Sequence, residues 1–411
     1  MEFYPHQLTN AADLIKSIRE CGSAIDASST GTGKSITALA VAHLLKKQAF
    51  VICPLGVGPG WKDKAGMMST AGYCDGFNWT NYEKARTAKG QAKLRAELDP
   101  KRDLIVFDEA HRIGSPKSLQ ALLAVQLKNA GFSILCLTAT PFDNPLKSRA
   151  FLHLTNKVDW DSWYSSIPNW GCVRCNWIRG KPWQFVGDKQ DMLKLKEVLK
   201  GCIVATGWAD VEGFPDYVVD CVPVPITKAD ARRVDEIRAG LVEGNSGSTM
   251  EIRAELEMIR VPAMVSLARD EIAQGNKVVA FFNFKAPLLS FAAETGCTYI
   301  DGSVPPADRE NLRKNHQMSP TPAIIACNGQ AAGEGLDLHD VGHGPVVTII
   351  SPPHSAPILL QEFGRTHRAG GQSKAVHKII FAAGTMEQHK LMPRVMARRE
   401  NIETLTTADL Y

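Results

Sequence analysis

No stretch of this chain approaches the roughly 20 consecutive apolar residues of a membrane span. Its first residues, MEFYPHQLTN, lack the basic-then-apolar pattern of a secretory leader. There is no low-complexity tract and no fixed-period repeat, which sets aside solenoids, fibrous chains and disordered tails. Neither sign of charge is in large excess: 47 Lys and Arg against 43 Asp and Glu leave a net charge of +4. That balance permits a polyanionic partner without demanding one. A zinc framework is also missing. Cys172-x-x-Cys175 has zinc-knuckle spacing, but no second CxxC or HxxxH pair accompanies it, and Cys202 and Cys221 stand at irregular distances. The pair reads as reduced structural cysteines. Other cysteines stand singly in apolar runs (Cys53, Cys136, Cys327), as buried thiols do. These absences predict no membrane partner and a reducing compartment, the cytoplasm of a bacterium or viral host, or the nucleus if the cell is eukaryotic.

What is there fits an ordinary globular protein: 411 residues, 44% hydrophobic and 22% charged, enough for two or three domains. Short continuous apolar runs punctuate the first third: Phe50–Cys53, Leu104–Phe107 and Ile134–Leu137. Such runs suit strands covered by helices on both faces of a parallel sheet. Helical stretches, Lys34–Lys47 and Ser118–Lys128, lie among them, and the alternation predicts a doubly wound α/β domain. The pattern returns at Val278–Phe282, Ala323–Cys327, Val346–Ile350 and Val376–Phe381. Between the two, six of the eight tryptophans (Trp160, Trp163, Trp170, Trp177, Trp183, Trp208) cluster with Arg174, Arg179 and Lys181. The reading is therefore α/β: two doubly wound parallel-sheet domains with a Trp-rich insertion or bridging region carrying its own small core. The expected boundaries are 1–155, 156–225 and 226–411.

Ser28-Ser29-Thr30-Gly31-Thr32-Gly33-Lys34-Ser35 follows a short apolar segment and opens a helix, as a phosphate-binding loop must. Gly31 and Gly33 let backbone N–H groups turn toward phosphate oxygens, joined by Thr30 and Thr32 and by the positive end of the new helix. Lys34 would reach the β- and γ-phosphates and Ser35 would ligate Mg²⁺. The strict pattern has Gly at position 28, where this chain has Ser. Asp108-Glu109-Ala110-His111 follows Leu104–Phe107, so its carboxylates emerge at a strand's C-terminal end, where open α/β sheets place their sites. Asp108 would hold Mg²⁺ and Glu109 would orient and deprotonate an attacking water. Thr138 and Thr140, in Leu137-Thr138-Ala139-Thr140-Pro141, supply hydroxyls near the same edge. Late in the chain, Gln361-Glu362-Phe363-Gly364-Arg365-Thr366-His367-Arg368 carries two arginines three residues apart, which share a face if helical. Arginine binds phosphate oxygens bidentately and could stabilise charge on a γ-phosphate.

In their order, STGTGKS, DEAH, LTATP, AAGEGLDL and QEFGRTHRAGG resemble motifs I, II, III, V and VI of superfamily 2 helicases. Finer details are similar to the SWI/SNF-type branch of double-strand DNA translocases: Tyr4–Gln7, Ile52–Pro54 with Trp61, Asn81–Glu83, Asp301–Ser303 with Arg309, and Gly384–Glu387. The resemblance implies two RecA-like lobes, ATP and Mg²⁺ as cofactors, and Gln7 as an adenine reader. It places Gly335 and Asp337 in the loop linking nucleotide to nucleic acid, and makes Arg365 and Arg368 trans-acting fingers. His111, Thr138, Thr140 and Gln361 become coupling residues; Pro54, Trp61, Asn81, Tyr82 and Asn283 become nucleic-acid contacts. Three departures stand out. Glu362 occupies a position often basic or small in relatives, motif VI closes one residue late, at Gln372, and Ala205–Asp210 lacks the basic motif often found before the second lobe. The expected function is an ATP-driven motor on DNA, duplex favoured, working as a monomer with replication, recombination or repair proteins as possible partners. A strand-separating helicase on RNA or single-stranded DNA, and an ATP-gated clamp, are the alternatives.

Overall fold

The structure is a computed structural model and describes residues 3–175, 182–242, 249–329 and 336–406. It divides into two compact units, Met1–Glu212 with Arg398–Tyr411, and Gly213–Ala397. In the first, strands β1 (Ser23–Asp26), β2 (Gln48–Cys53), β3 (Phe77–Asn81), β4 (Asp103–Asp108) and β5 (Ser133–Leu137) form a sheet with the short β8 (Ile203–Val204), in the order β3-β2-β4-β5-β1-β8. Every pairing in it is parallel. The continuous apolar run of β4 is explained by its two faces. Leu104 and Val106 enter one core cluster, Ile105 and Phe107 the other, and all four are 0% exposed. Side chains alternate along a strand, so only a strand covered on both sides needs apolar residues at every position. Helices α1 (Pro5–Cys21), α2 (Lys34–Leu44) and α3 (Gly58–Thr70) carry the residues of the site described below.

The second unit repeats the design. Strands β9 (Tyr217–Val224), β10 (Lys277–Phe282), β11 (Thr298–Ile300), β12 (Ile324–Asn328), β13 (Val346–Ile350) and β14 (Ala375–Ala382) pair in parallel in the order β11-β12-β10-β13-β14-β9. The helix Thr249–Ala273 runs unbroken through Pro262. Two parallel-sheet α/β domains are thus present, as the alternation of runs and helices predicted. No helix among the described residues is long and apolar enough to cross a membrane.

The Trp-rich segment differs from its expected form. A two-stranded antiparallel hairpin, β6 (Cys172–Arg174) with β7 (Trp183–Phe185), does stand in it. Its bulk, however, joins the first unit's core: Trp163, Trp170 and Cys172 pack with Met192, Leu195 and Leu199 against residues of β4 and β5. Arg149 sits 3.9 Å from the ring centroid of Trp160 and donates to that residue's carbonyl at 2.9 and 2.6 Å. A separate small core would leave these large rings under-buried, whereas the uncovered flank of an existing sheet gives them a ready surface. The compact division falls after Glu212, while the sequence pattern suggested boundaries after residues 155 and 225. The last described turns of the chain also return to the first unit. Leu405 enters its core, and Asn401 Nδ2 donates to the Asp143 carbonyl at 3.2 Å. Trp177 and Gly335 lie outside the described residues.

Because Trp170 is a core residue, 5% exposed, Trp170→Ala should destabilise the chain by about 3–5 kcal/mol through lost burial and the cavity left behind. Urea denaturation followed by far-ultraviolet circular dichroism measures it. A loss below about 1 kcal/mol, the range of ordinary surface substitutions, would instead leave the ring free for a surface role.

Candidate active site

The glycine loop joins β1 to α2. Gly31 and Gly33 have φ of +80° and +91°, values that side chains rarely adopt. At Gly33 the need is also steric, since a Cβ there would lie 2.2 Å from Gln7 Nε2. Gln7 therefore sits against the loop. Its Oε1 accepts from the Tyr4 amide at 3.0 Å. His6 Nε2 lies 2.9 Å from the Thr32 carbonyl, and the Trp208 indole donates to the Thr30 carbonyl at 2.9 Å. Lys34 lies along the loop and donates to the carbonyls of Ser28 and Ser29 at 2.7 and 2.9 Å.

Ser28, the departure from the strict loop pattern, is 1% exposed and its hydroxyl is a hub. It accepts from Asn10 Nδ2 of α1 at 3.2 Å and from the Thr206 amide at 3.1 Å. Asn10 and Thr206 bond each other as well, at 2.9 and 3.1 Å. The hydroxyl thus ties the loop to α1 and to the segment after β8. Below it Asp26, fully buried, accepts from the Ser28 amide at 3.0 Å. Burial raises the pKa of this carboxyl, and the Lys34 charge is the largest opposing influence.

The acidic box stands where expected, at the C-terminal end of β4. Asp108 is braced on both oxygens: the Trp61 indole donates to Oδ2 at 2.7 Å and the Glu109 amide to Oδ1 at 2.9 Å. Tyr82 Oη donates to the Asp108 carbonyl at 2.8 Å. Burial raises the Asp108 pKa, the neighbouring Glu109 adds to the rise, and Trp61 and Lys64 draw it down. Glu109 has φ +52° and ψ +49°, a left-handed conformation unusual for a residue with a side chain. Its carboxylate Oε2 lies 3.3 Å from His111 Nδ1. Just after the adjacent β5, Thr138 and Thr140 are each 1% exposed, and the Thr140 amide donates to Thr138 Oγ1 at 3.1 Å. The Thr138 amide donates to the Asp26 carbonyl at 3.0 Å, which links this strand end to the base of the glycine loop.

In the second unit, helix Ala356–Thr366 presents Gln361 and buries Arg365 to 7% exposure. It stops at Thr366, and His367 is extended (φ −107°, ψ 100°), so the two arginines do not share a helix face. Arg368 instead folds back, donating to the Gly364 carbonyl at 3.1 Å and pairing with Asp337 Oδ1 at 2.7 Å. Asp337, expected near nucleotide, is here the partner of a finger candidate.

The nucleic-acid candidates require correction. Pro54 is buried, and Trp61 and Tyr82 are 0% exposed with their polar atoms committed to Asp108. Asn81 caps the short helix after it by accepting from the Lys84 amide at 2.8 Å. Asn283 donates to Glu257 Oε2 at 3.0 Å and to the Pro352 carbonyl at 3.2 Å. Trp61, Asn81 and Tyr82 are thus committed within the first unit and Asn283 beside the buried Glu257 of the second, because polar groups next to a buried carboxylate must be satisfied there. Asn10, Lys64 and Thr206 were not singled out from the sequence, and Trp208 entered there only as a member of the Trp-rich stretch. The only hint was the serine at position 28. Cys172 is in the core, while Cys175 Sγ donates to Gln184 Oε1 at 3.4 Å. No cluster of three or more metal-ligating side chains occurs among the described residues.

Two family models match the chain. The helicase conserved C-terminal domain covers residues 260–370, and the res subunit of type III restriction enzymes covers residues 77–143. A curated protein of Acanthamoeba polyphaga mimivirus, named "Putative ATP-dependent RNA helicase", is 22% identical over 457 residues, spanning 100% of this chain and 84% of that protein. Among solved structures, the Sulfolobus solfataricus SWI2/SNF2 ATPase core in complex with dsDNA aligns at 16% identity and a TM-score of 0.43, covering 99% of this chain and 95% of that one.

Removing the Ser28 hydroxyl leaves the Asn10 and Thr206 donors short of an acceptor in a buried place. Ser28→Gly, although it restores the strict loop pattern, should therefore cost about 1–3 kcal/mol of stability. The loss should be less than additive with Asn10→Ala, which breaks the same contacts. Chemical denaturation of the two single variants and the double variant measures both effects.

Proposed function

We propose that this chain, an ATP hydrolase of the superfamily 2 helicase type, is a Mg²⁺-dependent motor that moves along DNA. The observation that carries the reading is the gathering of the glycine loop and the braced Asp108–Glu109 pair at one edge of one sheet. Backbone N–H groups and Lys34 would bind the phosphates, with Lys34 leaving its loop carbonyls to do so. The donors suited to Mg²⁺ are the Ser35 hydroxyl and the Asp108 carboxylate, hard oxygen ligands of the kind this ion takes. Both Asp108 oxygens already accept hydrogen bonds, which fits a hold through water. When bound, the ion would neutralise charge on the β- and γ-phosphates.

The chain's own residues do the rest. Glu109, in its left-handed turn just after β4, would accept the proton of the attacking water. Trp61 favours the ionised form of Asp108 and fixes its direction. Arg365 and Arg368 are assigned to the charge that develops on the transferred phosphoryl group, and Arg368 must exchange Asp337 for that partner. Duplex DNA is favoured by the SWI/SNF-type details at Ile52–Trp61, Asn81–Glu83 and Gly384–Glu387. With Pro54, Trp61, Asn81 and Tyr82 buried, contacts to nucleic acid would fall to backbone groups and surface charges, a mode that tracks phosphates and does not read bases. A second reading, action on RNA, draws on the name of the mimivirus relative.

Glu109→Gln should abolish turnover while leaving ATP bound, whereas Lys34→Ala should weaken nucleotide binding itself; equilibrium binding and phosphate release measure the two. Near-normal hydrolysis by Glu109→Gln would remove the acidic box from the mechanism. Arg365→Ala and Arg368→Ala should lower kcat by about 10² or more, with nucleotide affinity within about tenfold of the parent. The substrate is decided by comparing ATPase stimulation by double-stranded DNA, single-stranded DNA and RNA. Duplex should stimulate most, with a steep fall between low and physiological salt. The motor should displace a third strand from a triplex without opening the duplex. Unwinding of a forked substrate with no triplex displacement would support the helicase alternative.

A further inference from the structure

Helix α3 delivers two side chains to the metal side of the site. Trp61 and Lys64 are three residues apart and so share a helix face. Trp61 holds Asp108 Oδ2 at 2.7 Å, and Lys64 Nζ donates to Ser35 Oγ at 3.3 Å. Lys64 also acts on Asp108, where its charge opposes the rise caused by burial and by Glu109. Lys64 thus stands beside both groups that would share a divalent cation. Lys34, the lysine of the glycine loop, is meanwhile bonded to the Ser28 and Ser29 carbonyls. Two carboxylates and a hydroxyl at the end of a buried strand need a counter-charge, and α3 supplies one from the protein itself.

We propose that Lys64 is the resident cation of the metal position: its ammonium stands in for Mg²⁺ between Ser35 and Asp108 until metal and nucleotide enter, and is then displaced. The proposal rests on the assignment of Ser35 and Asp108 as the metal-holding pair. Three consequences follow from charge alone. Without nucleotide, the site resists divalent ions because one like charge already occupies it. With nucleotide but no metal, the same ammonium partly neutralises the phosphates. Nucleotide affinity is therefore less dependent on metal than the donor set alone would make it, and the two ligands are coupled through one side chain.

The test uses the full chain and two probes, Mn²⁺ followed by electron paramagnetic resonance and ADP followed by calorimetry. Lys64 is partly exposed and lies outside the core, so Lys64→Gln should fold, and Lys64→Arg serves as the charge-keeping control. Without nucleotide, Lys64→Gln should bind Mn²⁺ about tenfold more tightly than the parent, on the order of 1.4 kcal/mol. Lys64→Arg should stay within about twofold of the parent, a difference of roughly 0.4 kcal/mol. Adding Asp108→Asn to Lys64→Gln should erase the gain. For ADP, the ratio of affinities with Mg²⁺ and with chelator should rise in Lys64→Gln, chiefly through weaker binding in chelator. Equal Mn²⁺ affinity in parent and Lys64→Gln, with Asp108→Asn weakening both, would overturn the role of Lys64 while leaving the metal pair intact. Mn²⁺ binding indifferent to Asp108→Asn in every background would overturn the metal pair, and this proposal with it. Neither readout needs ATP turnover or nucleic acid.

Discussion

The hydrogen bond from the Trp61 indole to Asp108, 2.7 Å long, is the constraint around which the first unit's site is arranged. A carboxylate at the end of a buried strand is unstable as an anion unless donors surround it. Trp61 supplies one donor, the Glu109 amide another, and that second bond goes with the left-handed turn at Glu109. Strain of this kind persists only where the surroundings over-determine it. The Tyr82 hydroxyl on the Asp108 carbonyl and the packed β4 provide that over-determination. One indole N–H thus fixes the direction of Asp108, the turn that follows, and the placement of the Glu109 carboxylate. The same helix, α3, packs Trp61, Ala65 and Met68 into the core and brings Lys64 to Ser35.

A similar logic governs the second unit, with different residues. Glu257, 1% exposed, accepts from the amides of Asn283 and Phe284 at 2.8 and 3.2 Å and from the Asn283 side chain. Buried Arg260 pairs with Glu387 and donates to Ser351 Oγ at 2.6 Å. Asn283, a candidate nucleic-acid contact by resemblance, belongs to this network. Glu362 is part of the same interior. Burial raises its pKa well above the ordinary carboxylate value, and nearby Glu257 adds to the rise while Arg365 lowers it. A Cβ at Gly329 would meet its Oε1 at 2.6 Å, so the glycine makes room for the carboxyl. The unusual acidic residue of motif VI is therefore an internal neighbour of Arg365 and offers no surface charge.

The sequence by itself determined the two parallel-sheet domains, because a strand buried on both faces must be apolar at every position and such runs are visible without coordinates. It also determined the glycine loop and the acidic pair, because backbone conformation and position allow few residue types there: glycine where φ is positive, lysine and serine at the helix start, two carboxylates at a strand end. Only the tertiary structure decided which way the remaining polar and aromatic side chains point. Pro54, Trp61, Asn81, Tyr82 and Asn283 fit a surface role by motif, yet each meets a partner or a packing surface inside the protein. The tryptophans after Trp160 looked like a separate module, yet the described ones pack largely on the flank of the first sheet. Ser28 looked like a lapse from a pattern, yet it joins Asn10 and Thr206, 18 and 178 residues away in sequence. The physical reason is common to all of them. Periodicity and short motifs record constraints between residues close in the chain, whereas a hydrogen-bond partner or a packing surface far along the chain is chosen only when the fold brings the two together.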